Sequence, residues 1–318
     1  MIQPPIEDRR VRSAYQRMLE LAWEMDGVIG VDVGYADPDG QPTGELVVRV
    51  YASDDETGWD LASRLPKSID GVPVSHRTAS FRVHGSPGRR PAGEDCDRTE
   101  FCDPLRPGVS VANFSIVGGT IGLIVDHPQK GRCILSCAHV LVDPRGMQRA
   151  VVQPAGEDLE DQIGDVDSVI SGSDGDAAIA ILNGKRGTRP AQYETGVVVK
   201  RAREPRLNEI VTKSGAATGV TCGMVEGIGR YRLQLEDDML LGSLAALKDQ
   251  GLDAIRIVPA RGCERPISRG GDSGSVWYAN TDDAGVGLHV AGESGSGAAL
   301  ACSLSMVLER LGVTPAES

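Results

Sequence analysis

The sequence predicts a mainly β protein: a double barrel or sandwich closed by a C-terminal helix and preceded by a small α+β domain. Three observations carry this expectation. After residue 108 about a dozen short apolar stretches alternate with glycine-rich turns. The chain holds 40 glycines and only 4% aromatic residues, which favours tight turns and small strands over helical bundles. Before residue 85 the hydrophobic period switches between helical and alternating.

Residues 9–25 predict an amphipathic helix, with Val11, Ala14, Tyr15, Met18, Ala22 and Met25 along one face and Gly27 as its stop. Ile29, Val31, Val33 and Tyr35 then alternate with Gly30, Asp32 and Gly34, a strand pattern. The turn-rich 36–43 leads to a strand in which Leu46, Val48 and Val50 share a face. A helix over 57–65 and a strand over 72–77 complete an α-β-β-α-β module without clustered catalytic residue types. We divide the chain into this module (1–85), a Pro/Gly/charged linker (86–107) and a main domain (108–318). Arg89-Arg90 in the linker is a candidate proteolytic nick site.

In the main domain strands are expected at 120–126, 132–137, 150–153, 162–170, 177–182, 195–200, 209–213, 222–228, 230–235, 254–258, 275–278 and 286–291. The terminal helix carries Leu304, Val307, Leu308 and Leu311 on one side and ends at Gly312. A net charge of −12 and a pI near 4.9 argue against general affinity for nucleic acid or anionic membranes. No stretch reaches the roughly 18 apolar residues of a membrane span, and the first residues lack a signal-peptide core, so a cytoplasmic location is expected. In that reducing setting most of the seven scattered cysteines should be free thiols. The five histidines form no metal-ligand spacing, and no phosphate-binding loop occurs, so neither metal nor cofactor is expected.

The chemistry-bearing stretch is Gly270-Gly271-Asp272-Ser273-Gly274-Ser275. Such a turn can lift a serine hydroxyl above the N–H groups of Gly271 and Ser273, a pair able to receive a developing oxyanion at roughly 3–4 kcal/mol each. Upstream, His139 follows the apolar 134–137 and the small Ala138, the place for a general base. Asp176 opens the apolar run 177–181, which would fix its side chain; Asp165, Asp167 and Asp174 are rival carboxylates on looser ground. The order is His139, Asp176, Ser273, the residue types of a nucleophile, its base and an orienting acid.

With Ala138-His139, Asp176-Ala177-Ala178 and Gly271-Asp272-Ser273-Gly274 in this order, the chain resembles trypsin-like serine peptidases of the chymotrypsin fold. It is most similar to the cytosolic Narrow-Leaf-type trypsin-like proteins and their bacterial relatives. The matching stretches are 106–110, 118–122, 135–141 and 213–221, with 27–35 and 43–46 in the N-terminal module. The resemblance implies a chymotrypsin-like double β-barrel and an intracellular serine endopeptidase cleaving protein or peptide substrates through a His139–Asp176–Ser273 triad and an acyl-enzyme. It also implies that Ile267 sits at the base of the primary pocket, that Val290, Ala291 and Gly292 pair with substrate, and that Ser268 and His289 stand where glutamyl endopeptidases bind acids. Glu293 is placed to affect the same preference. The alternative is a non-catalytic trypsin-like domain used for protein interaction. Cys137, before Ala138-His139, departs from the usual polar residues there. In secreted relatives a freshly cut N-terminus meets the aspartate of the nucleophile loop; some 107 residues precede this domain, so Asp272 is expected to have another partner or none. The sequence leaves oligomeric state open.

Overall fold

The computed structural model describes residues 6–37, 43–83, 98–114, 118–143, 145–156, 158–234, 250–263, 266–293 and 297–318. The expected nick site at Arg89-Arg90, and Cys96, lie outside them.

The N-terminal module runs α1 (Arg9–Ala22), β1 (Val28–Tyr35), β2 (Leu46–Ala52), α2 (Asp55–Arg64), β3 (Ser68–Ile69), β4 (Val72–Thr78) and β5 (Phe81–Arg82). Asp8 caps α1 through the Arg10 and Val11 amides, and the helix buries the face its periodicity marks: Val11, Ala14, Tyr15, Met18, Leu19 and Ala22. These pack with Val31, Val33, Val48, Val50, Leu61 and Val72 in one apolar core. β2 and β4 are parallel and joined through α2, while β1 and β2 are antiparallel.

The next unit comprises β6 (Ser110–Asn113), β7 (Gly119–Thr120), β8 (Leu123–His127), β9 (Gly131–Ser136), α3 (Ala138–Leu141), β10 (Ala150–Val152), β11 (Gln162–Gly172) and β12 (Gly175–Leu182). The last comprises β13 (Ile210–Gly215), β14 (Gly219–Tyr231), β15 (Leu252–Pro259), β16 (Val276–Ala279), β17 (Gly285–Glu293), β18 (Ala299–Ser303), α4 (Leu304–Leu311) and β19 (Thr314–Pro315). β6–β12 form a curled sheet in the order β8-β9-β12-β11-β10-β6-β7, with β19 added beside β8. β13–β18 close on themselves as a six-stranded barrel, β13-β16-β17-β18-β15-β14, through the β13–β14 pairing. The N-terminal sheet continues that barrel, since β1 pairs antiparallel with β14 (Gly30↔Tyr231 to Gly34↔Gly227).

The mainly β architecture, the preceding α+β elements and the C-terminal helix agree with the expectation. α4 buries Leu304, Val307, Leu308 and Leu311, and Gly312 ends it in the left-handed conformation at φ 64°. Three local expectations are corrected. Residues 195–200 form no strand; Val198 makes only an isolated bridge to Ala191. The expected strand 222–228 and the start of the expected 230–235 fall in one strand, β14, which is bent by a bulge at Val225–Gly227 and ends at Tyr231. Cys222 and Cys263 form a disulfide, whereas Cys133, Cys137 and Cys302 are free as expected. Among the described residues no helix is long and apolar enough to cross a membrane.

At the seam between the module and the barrel lies a buried ionic cluster. Arg49 grips Asp32 with two N–H donors, each at 2.6 Å, and both side chains are fully buried. Tyr51 and Tyr231 add hydroxyls to the same carboxylate at 3.0 and 2.5 Å. Glu226 receives Arg77 and Arg256 and stands 3.4 Å from Arg49.

Candidate active site

β9 and β12 pair in a register that ends at Ser136↔Ala178. Just past that end β9 turns into α3, which carries His139, while β12 begins with Asp176. The short helix therefore starts against the carboxylate. Asp176 is fully buried and accepts the His139 amide at 3.0 Å through Oδ1, while Oδ2 bonds the ring at Nδ1. Nε2 of His139 has no hydrogen-bond partner among the described residues. A buried carboxylate on Nδ1 selects the tautomer whose Nε2 can take a proton. Asp165 and Asp167 lie within β11, and Asp174 pairs with Arg310, whereas Asp176 stands against the His139 ring.

The serine loop is shaped from both sides. On the β7 side, the Thr120 amide donates to the Ser273 carbonyl at 2.8 Å, and its hydroxyl donates to the Gly271 carbonyl at 2.7 Å. With those carbonyls held there, the Gly271 and Ser273 amides donate to no acceptor among the described residues. The path needs Gly271 at φ 96° and Gly274 at φ 91°. A Cβ on Gly274 would also lie 2.1 Å from Ser136 Oγ.

From beneath, Asp272 fixes the loop. It is fully buried and accepts the amides of Ala217 (3.1 Å), Thr218 (3.0 Å) and Arg269 (2.9 Å) and the Thr218 hydroxyl (2.7 Å). The ammonium of Lys213, also fully buried, lies 3.2 Å away and donates to Thr218 Oγ1. Burial alone would raise the Asp272 carboxyl, but the Lys213 charge and these hydrogen bonds hold it below the ordinary range. Of the two expectations for Asp272, another partner or none, the structure shows the partner: Lys213. Sequence reasoning missed it, because a lysine inside Val211-Thr212-Lys213-Ser214 gives no sign of facing inward.

The residues flanking His139 and Ser273 meet around one carbonyl. The main chain of His289 accepts both the Gly274 amide (2.9 Å) and the Cys137 thiol (3.1 Å). The Ser273 hydroxyl, however, donates to the Val290 carbonyl at 3.3 Å and makes no hydrogen bond to His139. Cys137, His139 and Asp176 are the one group among the described residues whose donor atoms, within 4.8 Å of one another, could hold a metal ion. It is a poor cation site. Burial pushes the Cys137 thiol well above its usual range, and the His139 ring already uses Nδ1 on Asp176.

The closed barrel and the curled sheet have counterparts among solved structures. A glutamic-acid-specific serine protease that uses a histidine triad in substrate binding superposes with a TM-score of 0.50 at 16% identity. Thermobifida fusca Protease A gives 0.50 at 18%. Each comparison covers 67% of this chain and 100% of the other. The fold is the chymotrypsin-like double β-barrel. No protein-family model and no curated protein sequence matches the chain.

Within this double barrel the expected specificity residues are placed as follows. Ile267 is fully buried in the apolar barrel interior with Ile257, Trp277 and Val211. An isoleucine next to a closed barrel gains most by turning into it. Ser268 is buried before the loop, and His289 is fully buried with its ring edge-on to Trp277 at 6.2 Å. Val290, Ala291 and Gly292 lie on β17 beside the serine loop. Glu293 is bonded to Arg256 at 2.7 Å, so its charge is matched within the protein.

Proposed function

We propose that the chain is a serine endopeptidase acting on protein or peptide substrates, with Ser273 as nucleophile, His139 as base and Asp176 as its orienting acid. The observation that carries this reading is the His139 ring, clamped at Nδ1 by a buried carboxylate and unpaired at Nε2, beside a serine loop with two unpaired amides. Rotation of the Ser273 side chain from the Val290 carbonyl toward Nε2 would start the reaction. His139 takes the hydroxyl proton as Oγ attacks the substrate carbonyl, and the Gly271 and Ser273 amides receive the oxyanion. His139 then gives its proton to the leaving amine. Water, deprotonated by His139, releases the acyl group and restores Ser273. The Narrow-Leaf-type likeness rests on the sequence stretches quoted above and makes a cytosolic setting part of the proposal. Glutamic-acid specificity belongs to the structural neighbour that has it. Here His289 offers no exposed ring face, so we assign no side-chain preference.

One observation favours the second reading, a non-catalytic interaction domain: the Ser273 hydroxyl is bonded to Val290 and not to His139. A fluorophosphonate probe separates the two. It should label wild type, fail on Ser273→Ala and slow by at least about 10³-fold on His139→Ala. A wild type that stays unlabelled, folded as judged by circular dichroism, would favour the interaction domain.

A further inference from the structure

β17 is flanked by β18 along its length, but its other edge changes occupant near the serine. β16 accompanies it only to Leu288, opposite Val276. The serine loop takes the next position, through Gly274 N–H to the His289 carbonyl (2.9 Å) and His289 N–H to the Ser275 carbonyl (2.8 Å). A bulge between His289 and Ala291 then switches which residues face which edge. The Glu293 amide donates to Ala298 on the β18 side, so Gly292 and Val290 turn their main-chain groups to the serine side. The Ser273 hydroxyl on the Val290 carbonyl shows that facing directly. An extended peptide must lie along this edge to bring a carbonyl to Ser273.

The edge is already occupied. β5 pairs antiparallel with it, Arg82 opposite Gly292 and Phe81 opposite Glu293. The Phe81 carbonyl accepts the Gln234 amide at 2.7 Å on its far side, which leaves Arg82 as the residue whose main chain faces Gly292. The antiparallel direction runs β5 from Glu293 toward Val290, so Val83 leads along the edge toward the nucleophile. That is the polarity required of the acyl half of a substrate. The segment is anchored, too. Phe81 is 1% exposed and meets the Tyr231 and Tyr51 rings at 5.1 and 5.9 Å. Val83 is buried, and the Ser80 hydroxyl and the Arg82 Nε both donate to Gln234 Oε1 at 3.1 Å.

We infer that residues 79–83 are an intramolecular stand-in for substrate: they fill the peptide-pairing edge of β17 at Gly292 and keep the site latent toward extended peptides until displaced. The inference rests on the peptidase reading. It separates two kinds of reagent, since a small electrophile needs only Ser273 and its neighbours, whereas a peptide needs the strand edge.

Arg82→Pro removes the N–H that faces Gly292 at an exposed position where extended backbone accepts proline. It should raise turnover of a mixed-sequence fluorogenic hexapeptide library at least about tenfold while changing fluorophosphonate labelling less than about twofold. No gain with the library, or an equal gain in both assays, would overturn the inference. Wild type supplies an independent reading by hydrogen exchange with a tetrapeptidyl aryl phosphonate attached to Ser273. Amides of 79–83 should exchange faster in the adduct, and unchanged exchange would also overturn it. If neither phosphonate labels Ser273, the peptidase reading fails first and this inference falls with it.

Discussion

Asp32 and Asp272 are both sealed from solvent and both face a cation, yet they are built differently. Every hydrogen bond described for the Asp32 carboxylate comes from a side chain: Arg49 and Tyr51 on β2, and Tyr231 on β14. Asp272 receives three main-chain amides, one hydroxyl and the Lys213 ammonium. The first arrangement ties strands of the module to a strand of the barrel. The second dictates a backbone path, and that path aims the Gly271 and Ser273 amides. The cations suit the two tasks. A planar guanidinium makes a two-point grip between strands, while a compact ammonium fits beneath a turn. A buried carboxylate bonded to side chains is thus a fastener, and one bonded to main-chain amides is a mould.

Removing each cation tests the distinction. Lys213→Met and Arg49→Met should each cost about 3–5 kcal/mol in urea unfolding, because each leaves a buried carboxylate uncompensated. Their effects on chemistry should diverge. Fluorophosphonate labelling of the folded fraction should fall at least about 100-fold in Lys213→Met, since the oxyanion amides lose their support, and stay within about twofold in Arg49→Met. Parallel losses in both variants would erase the contrast.

Acid should reach the seam through Glu226. Although burial opposes it, the charges of Arg256, Arg49 and Arg77 pull this carboxyl down to about 2, from 4.5 when unpaired. A folded-state value below the unfolded one contributes stability that is complete above pH 4.5 and lost as pH falls toward 2. The contribution is about 3 kcal/mol, and urea midpoints at pH 7 and pH 3 should lie closer together in Glu226→Gln than in wild type. The smallest expected effect belongs to Tyr51→Phe. It takes one hydroxyl from Asp32 and leaves Arg49 and Tyr231 in place, so its cost should be about 1–2 kcal/mol in the same unfolding assay.

The two clusters also show what the sequence could and could not reveal. The alternation that sets Val31 and Val33 on one face puts Asp32 on the other, a face the rule ordinarily gives to solvent, yet all three are buried. It failed there because β1 lies between β2 and β14, with Arg49 and both tyrosines covering its polar face. His139, Asp176 and Ser273 were legible because each stands in a local pattern of small and apolar neighbours. Lys213 under Asp272 was not, since its role exists only once β13 and the serine loop meet. β5 is two residues long, too short for any period to register. Residues 195–200 erred in the other direction, with a β-branched run at Val197–Val199 but, among the described residues, only the Val198–Ala191 bridge in place of a ladder.

β14 is longer than the barrel it helps to close. Along one edge it pairs with β15, while on the other β13 takes Gly219–Met224 and β1 takes Gly227–Tyr231. Without β1, that second stretch would present a bare row of amides and carbonyls, a template on which another copy could add its own strand. β1 therefore covers main-chain groups that the barrel alone would leave unpaired. That cover follows from the length of one strand and is independent of any chemistry at Ser273.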